Sequence, residues 1–376
     1  MRGPRRPPVR LYGGDVSPGG EASSGDDERV NANERVGWPT DPIAAVVHTD
    51  PYPYYDDLAA RPIAWNESLG LWVAASPADV SYVLAHPAAR VRPLDQPVPS
   101  PISNTPAGDV FGRLVRMHDR PARADIKAAI VAAIDGITQA KLDEAAAASA
   151  SRLADVETLD ASFLDRWCAE FPIGVVAHLL GVERAGLDAA VAAARTIAAC
   201  FGPVPPSDAG AQAPDAVGAL GELVAAAVEA RRGLAAMLVD AVGPQRAADA
   251  VANTIGLFFQ TFDSTAGLVA NTLVRLERGR SVTEPSVHNT RRFFAEPADI
   301  GGAQIRAGDT VLVVLAAAVL PFGAGAHRCP ASALVPEIVA GAVSELLDVW
   351  PDALSCAVPI GYRPLPNTRV PVFGAI

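Results

Sequence analysis

One stretch limits the fold more than any other. From about Asp249 to Leu276 the chain carries "IGLFFQTFDSTAGLVANTL", a helical pattern that is apolar nearly all round. A helix with no polar face has to lie in the middle of a protein. The chain can supply that cover, because its 376 residues are 50% hydrophobic and 19% charged. Inside the helix sit Asp263, Ser264 and Thr265. A buried acid without a partner is costly, so these three need a reason. In one reading the hydroxyls bond back to carbonyls a turn earlier and Asp263 meets an ion-pair partner. In the other, a local break in the hydrogen-bond ladder admits oxygen and water. Phe258, Phe259 and Phe262 share the helix, facing either the core or a substrate cavity.

The other elements follow from pattern. Residues 1–45 are rich in Gly, Pro, Ser, Arg and Asp, and read as a disordered extension. A short helix fits Tyr52 to Ala60. Strands fit Ile63 to Asn66 and Leu71 to Ala75, and "PADVSYVLAH" reads as a helix opening at Pro77. From about 109 to 276 the pattern is mostly helical, interrupted by a loop over 202–214. "TRRFF", "GGAQI" and "DTVLVVL" read as strands, with a turn at Gly308 and Asp309. A last helix runs to about Val349. The expected fold is one mostly α (α+β) domain over 46–376 with small sheets.

Charge and cysteines exclude several classes. A net charge of −11 argues against a nucleic-acid surface. The four cysteines, Cys168, Cys200, Cys329 and Cys356, form no CxxC pair, which argues against a zinc or thioredoxin-like motif. The basic start of the chain is followed by no apolar core, so it does not read as a signal peptide. The apolar run Val311 to Phe322 is too short to span a bilayer. The expectation is a soluble cytoplasmic protein, with no membrane and no nucleic acid among its partners.

The stretch "PFGAGAHRCP", Pro321 to Pro330, carries the chemistry. Cys329 stands where a helix should start, with Pro330 at the first position. Unpaired N–H groups and the positive dipole end there favour a thiolate. Gly323 and Gly325 let backbone approach something flat and large. An iron held by one thiolate, with a macrocycle against the loop, accounts for these features together. The alternative for a lone cysteine is an inert buried thiol.

Phe322, Gly323, Gly325, His327 and Cys329 resemble the heme-binding loop of the cytochrome P-450 family. "DPYPYYDDLAA", "LWVAASPADVSYVLAHP", "FPIGVVAHLLGV" and the stretch 287–318 are similar to the family's other segments, in its order. The resemblance implies heme b with Cys329 as iron ligand, and His327 and Arg292 beside the propionates. For Arg292 the alternative is a surface ion pair. In "RMHDRPARADIKAAI" it implies Arg123 as a further propionate partner. It implies Asp263 as the proton-relay acid and Ser264, with Thr265 next to it, as the hydroxyl at iron-bound oxygen. The implied function is a soluble bacterial-type monooxygenase. It would insert one oxygen atom of O2 into a small organic substrate. Electrons would come from NAD(P)H through a ferredoxin or flavodoxin.

The sequence also departs from the family. Gln260 and Thr261 replace a small pair, and Ser264 stands for the usual threonine. Only "VRLERGRSVTEPS" joins the apolar helix to "VHNTRRF", where the family has two helices and a Glu-x-x-Arg signature. Glu277 and Arg280 have that spacing but lie too close to the apolar helix, and the match reads as coincidence. Val319-Leu320 leads straight into the loop, so the family's meander and its arginine are missing. Pro336 falls inside the last helix. The loop is therefore expected to be poorly braced. The second functional expectation is a catalytically impaired accessory or interaction protein of a biosynthetic pathway.

Overall fold

The computed structural model describes residues 37–154, 159–202, 205–280 and 284–374. Among these are eleven α-helices. They are α1 Tyr52–Ala59, α2 Pro77–Ala85, α3 Pro106–Arg113, α4 Arg123–Asp135, α5 Gln139–Leu153 and α6 Ala161–Leu180, followed by α7 Leu187–Phe201, α8 Ala209–Glu229, α9 Gly233–Val242, α10 Ala247–Glu277 and α11 Leu334–Val349. The strands are β1 Ala64–Asn66, β2 Leu71–Ala74, β3 Ala89–Arg90, β4 Asn289–Phe294, β5 Ala298–Ile300, β6 Ala303–Ile305, β7 Thr310–Val314, β8 Gly361–Tyr362 and β9 Pro371–Val372. The mostly helical fold with small sheets agrees with the sequence expectation.

Local chemistry sets the helix starts. The Ser76 hydroxyl accepts from the Asp79 N–H at the head of α2, with Pro77 first in the helix. Thr105 caps α3 and Asp160 caps α6 in the same way. Gly181 ends α6 at φ 99°, a left-handed conformation that glycine adopts without steric cost.

The apolar helix α10 lies at the centre, packed on α6 and also on α7, α9, α3 and α11. Nineteen of its residues are buried, from Ala250 to Val274. It is unbroken α-helix over 31 residues, so the expected break at Asp263 is absent. Phe258, Phe259 and Phe262 belong to this core, with Phe259 edge-on to Phe201 at 5.1 Å. Gly267 lets the C-terminal segment touch the helix, since a Cβ there would lie 2.5 Å from the Arg369 carbonyl oxygen.

A five-stranded sheet flanks the helices in the order β1-β2-β7-β4-β3. β1 and β2 form a hairpin, β2 runs parallel to β7 in register Trp72↔Val311, and β7 runs antiparallel to β4. β5 and β6 form a separate hairpin turned by Gly301 and Gly302, so "GGAQI" contributes a strand only from Ala303.

A polar knot joins the two ends of the chain beneath this sheet. Arg369 is 2% exposed. Its Nη1 donates to the carbonyls of Val46 (2.9 Å) and His48 (2.6 Å), its Nη2 donates to Thr49 (3.1 Å), and its plane stacks on Tyr362 at 3.6 Å. Beside it, buried His288 bonds Tyr55 Oη through Nδ1 at 2.8 Å. Burial, helped by the Arg369 charge, holds the His288 pKa down to about 3.

Three boundaries differ from expectation. The expected disorder over 1–36 lies outside the described residues, but Ala45 is fully buried and Trp38 packs edge-on to Tyr54. Packed chain therefore begins before residue 46. The 202–214 loop ends earlier, because α8 starts at Ala209 and carries Pro214 within its first two turns. The last helix starts at Leu334 rather than Pro330, which makes Pro336 its third residue. A missing N–H costs little in a first turn, so the expected penalty at Pro336 does not arise.

Candidate cofactor site

The Cys329 loop leaves β7 through a short turn. Val319 in that turn has φ 54° and is 79% exposed. Gly323 and Gly325 follow at φ 65° and 66°. A Cβ at residue 325 would stand 3.2 Å from the Leu84 carbonyl oxygen, so the loop lies close against α2. The Cys329 N–H closes the loop by donating to the Phe322 carbonyl at 3.0 Å. Because α11 starts five residues later, Cys329 is not at its N-terminus. One N–H, that of Ala331, reaches the thiol. Burial pushes the Cys329 thiol above its ordinary pKa, against the pull of that N–H and of Arg116, Lys127 and Arg328.

The loop is braced from α4. Arg123 Nη1 donates to the Ala326 carbonyl at 2.8 Å. Lys127 Nζ donates to the carbonyls of Ala326 (2.7 Å) and Arg328 (2.6 Å). Two cations on two carbonyls stand where a weak brace was expected. Arg123, expected beside a propionate, holds the loop's backbone and is not among the residues that line the cavity.

A cavity of about 290 Å³ opens between this loop, α10 and β4. Cys329, Phe322, Gly323 and His327 line it from the loop, and Gln260, Ser264 and Thr265 line it from α10. Arg292 of β4 and Arg116, just ahead of α4, complete the polar lining. Arg292 is 6% exposed, with Nη1 donating to the Arg291 carbonyl at 2.9 Å. Its pKa is lowered to about 10 by burial, with Asp119 opposing and Arg116 adding to the fall. It is therefore no surface ion pair. Arg116 keeps much accessible surface, yet burial among protein atoms lowers its pKa. Its side chain is among those that line the cavity. Among the described residues no carboxylate lies within ion-pair distance of either arginine.

His327 lines the cavity too, but its Nε2 bonds Asp119 Oδ1 at 2.7 Å. Asp119 in turn accepts the Val91 N–H at 3.0 Å. One ring nitrogen of His327 is thus committed to protein.

Arg292 is a buried guanidinium with no carboxylate partner among the described residues, and Arg116 turns a second guanidinium to the same cavity, so the pair favours an anion there. A thiol, two glycines with positive φ and two such arginines fit heme b, which brings an iron for sulfur and two propionates for the cations. No local sequence signal marks Arg116. It lies in the same run as Arg123, and only the start of α4 decides which of the two faces inward.

The residues expected to activate oxygen are placed unevenly. Ser264 and Thr265 line the cavity. The Ser264 hydroxyl donates back to the Gln260 carbonyl at 2.8 Å, and its own carbonyl accepts from Ser286 Oγ at 2.5 Å. Asp263 does not line the cavity. Its Oδ1 accepts from Arg363 Nη1 at 2.6 Å, and that guanidinium sits 5.7 Å from the Phe262 ring. The bland alternative therefore describes both side chains. Both ends of the Asp263–Arg363 pair are partly exposed, at 26% and 36%. Asp263→Asn is expected to lower stability by no more than about 1 kcal/mol in a urea titration, with unchanged heme uptake. A clear loss of uptake would return Asp263 to the site.

Glu277 and Arg280 mark the last turn of α10 and the residues just past it. The ion pair formed there is Arg275–Glu284 at 3.0 Å, with Tyr52 Oη donating to Glu284 at 2.7 Å. Among the described residues no group of three or more His, Cys, Asp or Glu side chains is placed to hold a metal ion. No described helix is long and apolar enough to cross a membrane.

Solved structures share the fold described above. RauA (CYP1050A1), complexed with a biosynthetic intermediate of aurachin RE, superposes with a TM-score of 0.68 at 19% identity, over 89% of this chain and 96% of that one. P450BioI, in complex with acyl carrier protein ligated to hexadec-9Z-enoic acid, gives 0.66 at 20% identity, over 85% and 96%. CYP164A2 of Mycobacterium smegmatis, ligand-free, gives 0.63 at 20% identity, over 88% and 97%. The chain has the cytochrome P450 fold. No protein-family model matches the sequence, and no curated protein does.

Proposed function

We propose that the protein is a heme-thiolate monooxygenase acting in the cytoplasm on a small organic substrate. The observation that carries this reading is the cavity where Cys329 meets Arg116 and buried Arg292, neither of which has a carboxylate partner among the described residues. Cys329 would hold the iron, while Arg116 and Arg292 would hold the propionates. Phe322 and Gly323 would lie along the ring. Bound there, heme b supplies dioxygen activation, with two electrons from NAD(P)H through a ferredoxin or flavodoxin and one oxygen atom passing to substrate. RauA, which shares the fold, is seen with a small biosynthetic intermediate, and this supports the substrate class.

The chain's own residues divide the remaining work. Arg123 and Lys127 fix the loop through Ala326 and Arg328. Gly256 leaves room for the Gln260 amide, since a Cβ there would lie 2.7 Å from Gln260 Nε2. Gln260, Ser264 and Thr265 are the polar groups that α10 presents to the cavity. Asp263, tied to Arg363, stays out of proton delivery. Hemin titration followed by a reduced carbon-monoxide difference spectrum tests the reading. One heme per chain with the red-shifted band of thiolate-ligated iron is expected. Failure to take up heme, or a band of another ligand, would sink it.

A further inference from the structure

A second cavity, of about 730 Å³, adjoins the first. Met117 lines both. The cleft carries apolar surface at Pro93, Leu94, Pro97 and Val98, and Leu94 is 72% exposed. Four arginines face the same space: Arg90, Arg92, Arg113 and Arg120. The acids that line it are Asp109 and Asp119.

The pairing leaves positive charge over. Arg113 is engaged by Asp249 at 2.8 Å, outside the cleft. Asp119 is engaged by His327 at 2.7 Å. Arg90, Arg92 and Arg120 then face the two carboxylates Asp109 and Asp119, which leaves one positive charge over in a chain whose net charge is −11. Arg120 donates to the Gly112 carbonyl. Arg92 donates from Nη2 to the Gln96 carbonyl at 2.9 Å and lies 5.8 Å from the Phe111 ring. Its Nε is buried with no hydrogen-bond partner. That nitrogen is closed off from solvent, so a carboxylate or phosphate oxygen in the cleft would meet the guanidinium's outer N–H groups. Packing on Phe111 holds the guanidinium plane in place, so little side-chain freedom is lost when an anion arrives.

We propose that this cleft selects organic anions, carboxylates or phosphates with an apolar tail, as substrates, holding the anionic head on Arg92 and Arg120 while the tail passes Met117 into the cofactor cavity. This rests on the heme-thiolate reading above and adds the substrate class to it. The cleft's apolar residues suit the tail, and its surplus positive charge would draw such anions from water despite the acidic remainder of the protein.

The test uses full-length protein, with and without bound hemin, and isothermal titration with three probes: dodecanoate, dodecyl phosphate and dodecanol. At least one anion should bind about tenfold more tightly than dodecanol, a difference of about 1.4 kcal/mol, and salt should shrink the difference. The two anions together show which head group the arginines prefer. Arg92→Gln should bring the ratio close to one, and the more exposed Arg120→Gln should lower it in part. Arg184→Gln, outside the cleft, should leave it unchanged. Equal binding of anions and alcohol to the unaltered protein overturns the proposal. So does a preference that survives both cleft substitutions in variants whose melting curves match the parent. Absorption spectra of the same samples keep the two readings apart. A missing thiolate band with an intact anion preference would refute the heme reading and leave an anion-binding cleft.

Discussion

Cys329→Ser is expected to remove the thiolate-type carbon-monoxide band completely, while Cys168→Ser, Cys200→Ser and Cys356→Ser should keep it. Among the four thiols only Cys329 lines the cavity beside Arg116 and Arg292. Cys168 is 3% exposed on α6, and burial pushes its thiol far above the ordinary range. Cys200, also 3% exposed, is pushed up by the same cause at the end of α7. Cys356 lies in the 3-10 turn that follows α11. A thiol becomes a strong iron ligand only as the thiolate, and the metal itself drives that deprotonation. A serine hydroxyl is harder and far less acidic, so it cannot supply the same electron donation. Absorption spectra of the four variants after equal hemin loading decide the matter. A thiolate band surviving in Cys329→Ser would place the iron on another sulfur.

Arg369→Met is expected to lower stability by about 3–5 kcal/mol, among the largest losses a point substitution gives. The guanidinium satisfies the carbonyls of Val46, His48 and Thr49 from inside the protein. Each hydrogen bond to a charged donor contributes roughly 1.5–3 kcal/mol, and the three are not additive. Methionine fills much of the volume but leaves those carbonyls without a donor. Arg369→Lys should recover only part of the loss, because one ammonium cannot copy a planar fork stacked on Tyr362. Urea unfolding followed by circular dichroism measures both. A loss below about 1 kcal/mol for Arg369→Met would mean that water replaces the guanidinium there.

The sequence was legible where one local signal fixed the outcome. α10 could be read because no face of it is polar, and burial is then the only solution. The Gly323 and Gly325 turns could be read because positive φ selects glycine. Other parts depended on partners far away in the chain. Asp263 bonds Arg363, 100 residues on, and no local pattern shows that pairing. Arg123 looked like a propionate partner, but it lies in the first turn of α4 and bonds the loop at Ala326. Arg116, seven residues earlier, takes the cavity instead. The brace on the loop was unreadable for a related reason. The missing segments were visible as short connections, whereas their replacement by Arg123 and Lys127 depends on where α4 docks. Pro336 is costly only in a helix that starts at Pro330, and α11 starts four residues later.

The pairing of β2 with β7 has a consequence for how the chain is made. Trp72 bonds Asp309 across 237 residues, and Val73 pairs with Leu312. During synthesis the β1–β2 hairpin leaves the ribosome early and waits for almost the whole helical region before its partner strand exists. Chains elongate at roughly 5–20 residues per second, so the wait lasts on the order of ten seconds or longer. Through that interval β2 keeps an unpaired apolar edge, open to a neighbouring nascent chain or to a chaperone. Yield in a heterologous host is therefore expected to depend on holdase supply and translation rate, even when the finished protein is stable.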